Sequence, residues 1–200
     1  MYNFLTVGSD CSPASALRQL KLREFALPFD WVHSRHIESI EKCFADNFSK
    51  YHTNLRLNRT RTRLIDEYGF EFPHDYPRED VSNNADNVGE GVFAEDKNTY
   101  IVHNWSNYYD IVKEKYNRRI ERFLKIINDQ KPIIILCRWN TNEVIRLKGM
   151  FEKYYNKTNI IFINSSSQPY VTETIINCYT ERNNIWNEAQ IWKENIDKFL

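Results

Sequence analysis

The stretch Pro132-Ile133-Ile134-Ile135-Leu136-Cys137 restricts the fold more than any other part of this 200-residue chain. A strand with apolar side chains on both faces must be covered on both, which is the habit of a parallel sheet wrapped by helices. A helical pattern over 142–154 follows, and a second apolar run, Asn159 to Ile163, comes next. Strand, helix and strand in that order form a β-α-β unit whose strands are parallel. Tyr2 to Val7 predicts another buried strand, closed by a turn at Gly8, and Ser12-Pro13 predicts a helix start with Ser as the cap. Tyr109, Val112, Tyr116, Ile120, Phe123 and Ile127 trace one stripe of a long amphipathic helix over 108–128. The fold class is therefore α/β, one layered domain over 1–200 with a mostly parallel central sheet flanked by helices. Antiparallel strands in the middle region are the alternative, and would move the class towards α+β.

That middle region is less regular. Phe25 to Val32 is an apolar stretch read as a second strand, interrupted by Asp30, and His36 to Tyr51 has the Ile37, Ile40, Phe44, Phe48 spacing of a helix. Arg59, Arg61 and Arg63 alternate with Thr60 and Thr62 at the period of a strand. Residues 68–72 and 99–102 are further strand candidates. The acidic, Asn-rich segment at about 79–98 has no apolar period and reads as a surface insertion. A Trp-bearing helix over about 184–200 closes the chain.

Several function classes drop out on composition. Lys+Arg and Asp+Glu both number 27, and zero net charge argues against a general nucleic-acid coat. No apolar run reaches the roughly 18 residues of a membrane span, and the N-terminus lacks a signal-like pattern. Cys11, Cys43, Cys137 and Cys178 are widely spaced with no C-x-x-C, so reduced thiols and a soluble cytoplasmic protein are expected. Neither phosphate-binding glycine motif nor H-E-x-x-H occurs, so no cofactor and no metal are expected.

Open α/β sheets bind ligands beyond the carboxyl ends of their strands. There the sequence sets Ser9, Asp10 and Cys11 after the first strand, Asp30 and Trp31 at the end of the second, and His74-Asp75 or His103-Asn104 further on. Arg138, Trp139 and Asn140 follow the Ile-rich strand. Cys11 is the sharpest candidate, because a helix start stabilises a thiolate; the plain alternative is an inert packed thiol. His74 and His103 compete as its base, whereas His33, His36 and His52 are read as solvated. Asp30, a charge among apolar neighbours, needs a partner: a catalytic imidazole, the His36 helix, or an arginine. Arg118, Arg119 and Arg122, with Arg138, could hold a phosphate or carboxylate, or Arg118 and its neighbours could simply pair with Glu114 and Glu121.

The segments Val7-Gly8-Ser9-Asp10-Cys11-Ser12-Pro13-Ala14, Leu17-Arg18, Leu22-Arg23 and Leu27-Pro28-Phe29-Asp30-Trp31 resemble the start of a family of papain-like cysteine peptidases. His74-Asp75, Arg118-Arg119-Ile120-Glu121-Arg122-Phe123 and the strand running into Arg138 extend the likeness to about Asn164. The resemblance implies Cys11 as nucleophile, His74 as base and Asp30 or Asp75 as the group orienting the imidazole, in thiolate chemistry through a thioester. The first expectation is thus a cysteine hydrolase or acyltransferase acting on a small-molecule, peptide or glycan substrate, with neither membrane nor nucleic acid as partner. A transferase binding a sugar or nucleotide, with Asp30 as base, is the second, and a non-catalytic binding module the third. The thiol reading requires a sulfur open to solvent beside an imidazole.

Overall fold

The structure, a computed structural model, describes residues 2–80, 86–87, 99–179 and 189–200. In chain order its elements begin with β1 (Asn3–Thr6), α1 (Ser12–Gln19) and α2 (Ile37–Ala45). The middle of the chain forms β2 (Arg56–Leu57), β3 (Leu64–Ile65), β4 (Glu71–Phe72), β5 (Arg78–Asp80), β6 (Asp86–Asn87) and β7 (Thr99–Ile101). After a 3-10 turn at Trp105–Tyr108 come α3 (Tyr109–Asn128), β8 (Ile133–Cys137), α4 (Thr141–Tyr155), β9 (Ile160–Ser165), β10 (Ile175–Cys178) and α5 (Ala189–Ile196).

The Ile-rich segment behaves as its composition demands. β8 is buried along its whole length, with β1 parallel on one side and β9 parallel on the other, in the sheet order β1-β8-β9-β10. Side chains alternate across a strand, and β8 splits accordingly. Ile133, Ile135 and Cys137 enter the larger core with α2, α3 and α4, while Ile134 and Leu136 enter a smaller one with Leu17 of α1 and Trp192 and Ile196 of α5. The protein is α/β, with a wholly parallel central sheet. Among the described residues antiparallel pairing occurs in two small sheets, β2-β3-β4 and β6-β5-β7, and in isolated bridges at His33–Glu71 and Val171–Ile176.

Four expectations are corrected here. Phe25 to Val32 forms turns instead of a strand, because the Asp30 carboxylate folds back onto the Leu27 N–H (2.6 Å) and closes the segment locally. Arg59, Arg61 and Arg63 do not form a ladder. They occupy the turn between β2 and β3, where the Asn58 side-chain carbonyl accepts from the Thr62 and Arg63 amides and Arg61 takes a left-handed φ of 55°. α2 ends at Ala45, not Tyr51, because Asn47 and Phe48 are both left-handed and the Phe48 amide turns back to the Cys43 carbonyl. α1 is capped by Cys11, one residue earlier than read, and β10 was not anticipated. Of the expected insertion at 79–98, residues 81–85 and 88–98 lie outside the described residues, as do 184–188 of the closing helix. No described helix is long and apolar enough to cross a membrane.

The larger core is aromatic, and Phe29 sits at its centre. Phe44, Phe48, Tyr51, Phe70 and Phe123 all place their rings within 6.0 Å of its centroid. The Leu27–Trp31 block is therefore held by an aromatic plug driven between α2, α3 and the segment leading into β4. Phe29→Ala should cost about 3–5 kcal/mol of unfolding free energy in a denaturant titration. Phe25→Ala, at a half-exposed ring nearby in sequence, should stay within about 0.5 kcal/mol.

Candidate active site

The chain leaves β1 through Val7-Gly8 and turns at once into α1. A Cβ on Gly8 would lie 3.2 Å from both the Asp10 carbonyl and the Pro13 ring, so a side chain there would push the turn off its path. One Asp10 carboxylate oxygen accepts from the Ser12 amide (2.8 Å) and hydroxyl (2.6 Å), satisfying the first exposed donor of the helix. The other oxygen receives Arg138 Nη1 at 2.6 Å, tying the exit of β1 to that of β8. Trp139 completes the edge by donating its indole N–H to the Val7 carbonyl (2.8 Å). These contacts fix Cys11 at the N-cap of α1, beyond the carboxyl end of β1.

His74 arrives from a different layer. It follows β4 and Pro73, and β4 is hydrogen-bonded to the segment after the Leu27–Trp31 block. The His33 and Glu71 backbones exchange both N–H···O bonds at 2.9 Å, and the Ser34 amide donates to the Ser9 carbonyl at 3.0 Å. One extended segment thus joins the Cys11 loop to the His74 loop. As a result Cys11 Sγ lies 3.6 Å from His74 Nε2, with the Trp31 ring edge-on to the imidazole.

The resting electrostatics are those of a neutral pair. Burial, reinforced by the Asp10 carboxylate, pushes the Cys11 thiol well above its ordinary value, and the Arg63 guanidinium opposes this only in part. Burial also lowers the His74 imidazole; Asp75 pulls it up, while Arg78 and Arg63 pull it down. The expected resting thiolate is corrected accordingly: the helix start is present, but desolvation and a neighbouring carboxylate outweigh it. Of the two conditions set for the thiol reading, one is met, an imidazole in reach, and the other, an open sulfur, is corrected, since Cys11 is 1% exposed. The imidazole touching it is itself only half-buried, so the sulfur lies one side chain below the surface.

The other candidates scatter. Asp30 does not meet an imidazole: it is buried, and its carboxylate holds Thr6 Oγ1 (2.5 Å), the Leu27 amide and the Arg23 guanidinium (2.6 Å). Asp75 faces away from its neighbour's ring and into α3, accepting from Tyr116 Oη (2.5 Å) beside Lys115 Nζ (2.8 Å) and Arg119 (3.9 Å). His103 is exposed just before the 3-10 turn. Arg118 pairs with Glu114 (2.5 Å) on the outer surface of α3, and Arg122, among the described residues, reaches the Ala26 carbonyl (3.5 Å). Asn140 is the N-cap of α4, in a reciprocal capping box with Glu143. Ser9, Asp10, Trp31 and Arg138 do gather around the thiol loop. Sequence reasoning missed His33 and the Arg35–Glu71–Arg63 bridge beside it. Glu71, a lone charge between Phe70 and Phe72, carried the same signal as Asp30. His52, read as solvated, is wholly buried among Phe72, Tyr76, Tyr109 and Tyr116. Among the described residues no three metal-ligating side chains converge.

The protein is thus an α/β protein that sets a buried thiol beside a half-buried imidazole at the strand-end edge of its parallel sheet. The chain belongs to the family described as "Putative papain-like cysteine peptidase (DUF1796)", whose family model matches residues 2–168. It is also similar to "Uncharacterized protein R408" of Acanthamoeba polyphaga mimivirus, at 27% identity over 179 residues, covering 80% of this chain and 75% of the viral protein. No solved structure matches.

The buried His52 should make folding acid-sensitive. Burial lowers its imidazole to about 4, against about 6.5 unfolded. Its contribution is therefore fully present above pH 6.5 and is lost as pH falls towards 4. The melting-temperature gap between wild type and His52→Gln should shrink over that window.

Proposed function

We propose that the protein is a cysteine-dependent acyl-transfer enzyme, a hydrolase or acyltransferase, with Cys11 as nucleophile and His74 as base. The 3.6 Å approach of Sγ to Nε2 carries this reading. From a neutral resting pair, the thiol proton passes to His74 Nε2 as sulfur adds to the acyl carbon. When the tetrahedral adduct collapses, the bond to the leaving group breaks and that group takes the proton from the imidazolium, leaving a Cys11 thioester. Water or an acceptor nucleophile then gives its proton to His74, attacks the thioester and releases the acyl product, and sulfur recovers a proton. Since Cys11 is covered, substrate reaches it only once a side chain above it moves; Trp31, His74 and the Asp10–Arg138 pair form the half-buried rim. The sugar-transfer alternative loses support because the Asp30 carboxylate, its base, is saturated by Thr6, Leu27 and Arg23. All four cysteines are free thiols, which fits work in a reducing cytoplasm.

Two measurements test the proposal. With p-nitrophenyl acetate, wild type should give a burst of nitrophenol and an acetyl group on Cys11 by mass spectrometry, and Cys11→Ser and His74→Gln should each lower the burst rate about 100-fold or more. Acetylation spread equally over Cys43, Cys137 and Cys178 would sink the reading. Iodoacetamide labelling of Cys11 should be flat through neutral pH and fall only below about 6.5, because the lowered imidazole stays neutral to more acid pH than usual. His74→Gln should leave only the alkaline rise.

A further inference from the structure

His74 sits on a short turn, and short turns move unless something holds their backbone. Two flanking residues are held. On the C-terminal side, Asp75 is buried and engaged by Tyr116, Lys115 and Arg119 of α3. On the N-terminal side, the Pro73 carbonyl accepts from Nη1 of Arg78 at 3.1 Å. Arg78 is itself buried, and among the described residues its guanidinium makes three further bonds: Nη1 to the Thr62 carbonyl (3.0 Å), Nε to Thr99 Oγ1 (3.0 Å) and Nη2 to the Thr99 carbonyl (2.9 Å). One planar fork therefore links β5, the start of β7, the β2–β3 turn and the residue before the imidazole. A lysine could supply the charge but not this fixed set of bonds.

We propose that Arg78 is the positioning residue for His74, its guanidinium holding the Pro73 carbonyl so that Nε2 faces the Cys11 sulfur. This rests on the reading of Cys11 and His74 as the reacting pair. Arg78 acts through the turn: its contacts among the described residues are to Pro73, Thr62 and Thr99. It also acts on the ring through space. Among the described residues, the groups acting on His74 are the Cys11 thiol from the start of α1, Trp31 and His33 from the linking segment, Arg63 from the β2–β3 turn and, from its own stretch of chain, Asp75 and Arg78. Asp75 favours the imidazolium; Arg63 and Arg78 disfavour it, and His33 is itself held neutral, at about 4. Removing the Arg78 charge therefore lets His74 take up a proton at higher pH.

The test compares Arg78→Met and Arg78→Lys in the full chain by imidazole NMR titration and by Cys11 labelling with iodoacetamide, alongside melting curves. Folded Arg78→Met should raise the His74 titration midpoint by about half a pH unit or more. It should also slow Cys11 labelling at pH 7.5 about tenfold or more. Arg78→Lys should keep the wild-type midpoint yet still slow labelling several-fold, because it keeps the charge and loses the fork. A folded Arg78→Met with wild-type midpoint and rate overturns the proposal. If Arg78→Met does not fold, Arg78→Lys decides: wild-type labelling in that variant overturns it equally. The NMR midpoint involves no acyl chemistry, so it separates the two readings. A shifted midpoint with no Cys11 acetylation in wild type sinks the enzyme reading and leaves the Arg78–His74 coupling standing.

Discussion

The segment Trp31-Val32-His33-Ser34 is hydrogen-bonded on both sides, and the rest of the site depends on that. Through Ser34 it grips Ser9, two residues before the thiol; through His33 it grips Glu71, three residues before the imidazole. Backbone bonds of this kind are directional and short-ranged, so they fix the separation of two loops that belong to different layers. Without them the parallel sheet would still form, since β1, β8, β9 and β10 bury their own faces. The sulfur and the imidazole would simply have no reason to meet.

What anchors that segment is a mixed apolar and ionic plug. Phe29 fills the centre of the aromatic core, and Asp30, directly after it, is fully buried against Thr6 of β1 and the Arg23 guanidinium. A buried carboxylate is tolerated only when its charge and lone pairs are met, and here a cation, a hydroxyl and a backbone amide meet them. Trp31 then lies against His74. The Pro-Phe-Asp-Trp block thus works as a peg: its Phe and Asp hold it in the core and its Trp touches the site. Of the three partners the sequence left open for Asp30, the structure supplies the arginine and not the imidazole.

The site's charge arrangement has a chemical consequence. Asp10 is needed to cap α1 and to tie β1 to β8 through Arg138, yet its charge stands next to the sulfur and opposes a thiolate. Burial is the main cause that raises the thiol, and the same side chain that builds the loop adds to it. A neutral thiol beneath a half-buried imidazole is less exposed to oxidation and alkylation than a free thiolate.

Local pattern in the sequence was enough for the parallel sheet, the long helix α3, the β8-α4-β9 unit, and the placement of Cys11 at a helix start and of Arg138 at a strand end. Each of these is a property of neighbours along the chain: apolar periodicity, a proline at the first turn, a strand too apolar to face water. Arg59, Arg61 and Arg63 misled because alternation alone does not distinguish a strand from a turn that an asparagine side chain can close. Which histidine meets the thiol, and which way Asp75 points, was decided only by the tertiary structure. Those answers turn on residues far apart in sequence, His74 against Cys11 and Tyr116 against Asp75, brought together by packing. Burial, which raises the Cys11 thiol and lowers the His74 imidazole, likewise exists only once the layers have closed over them.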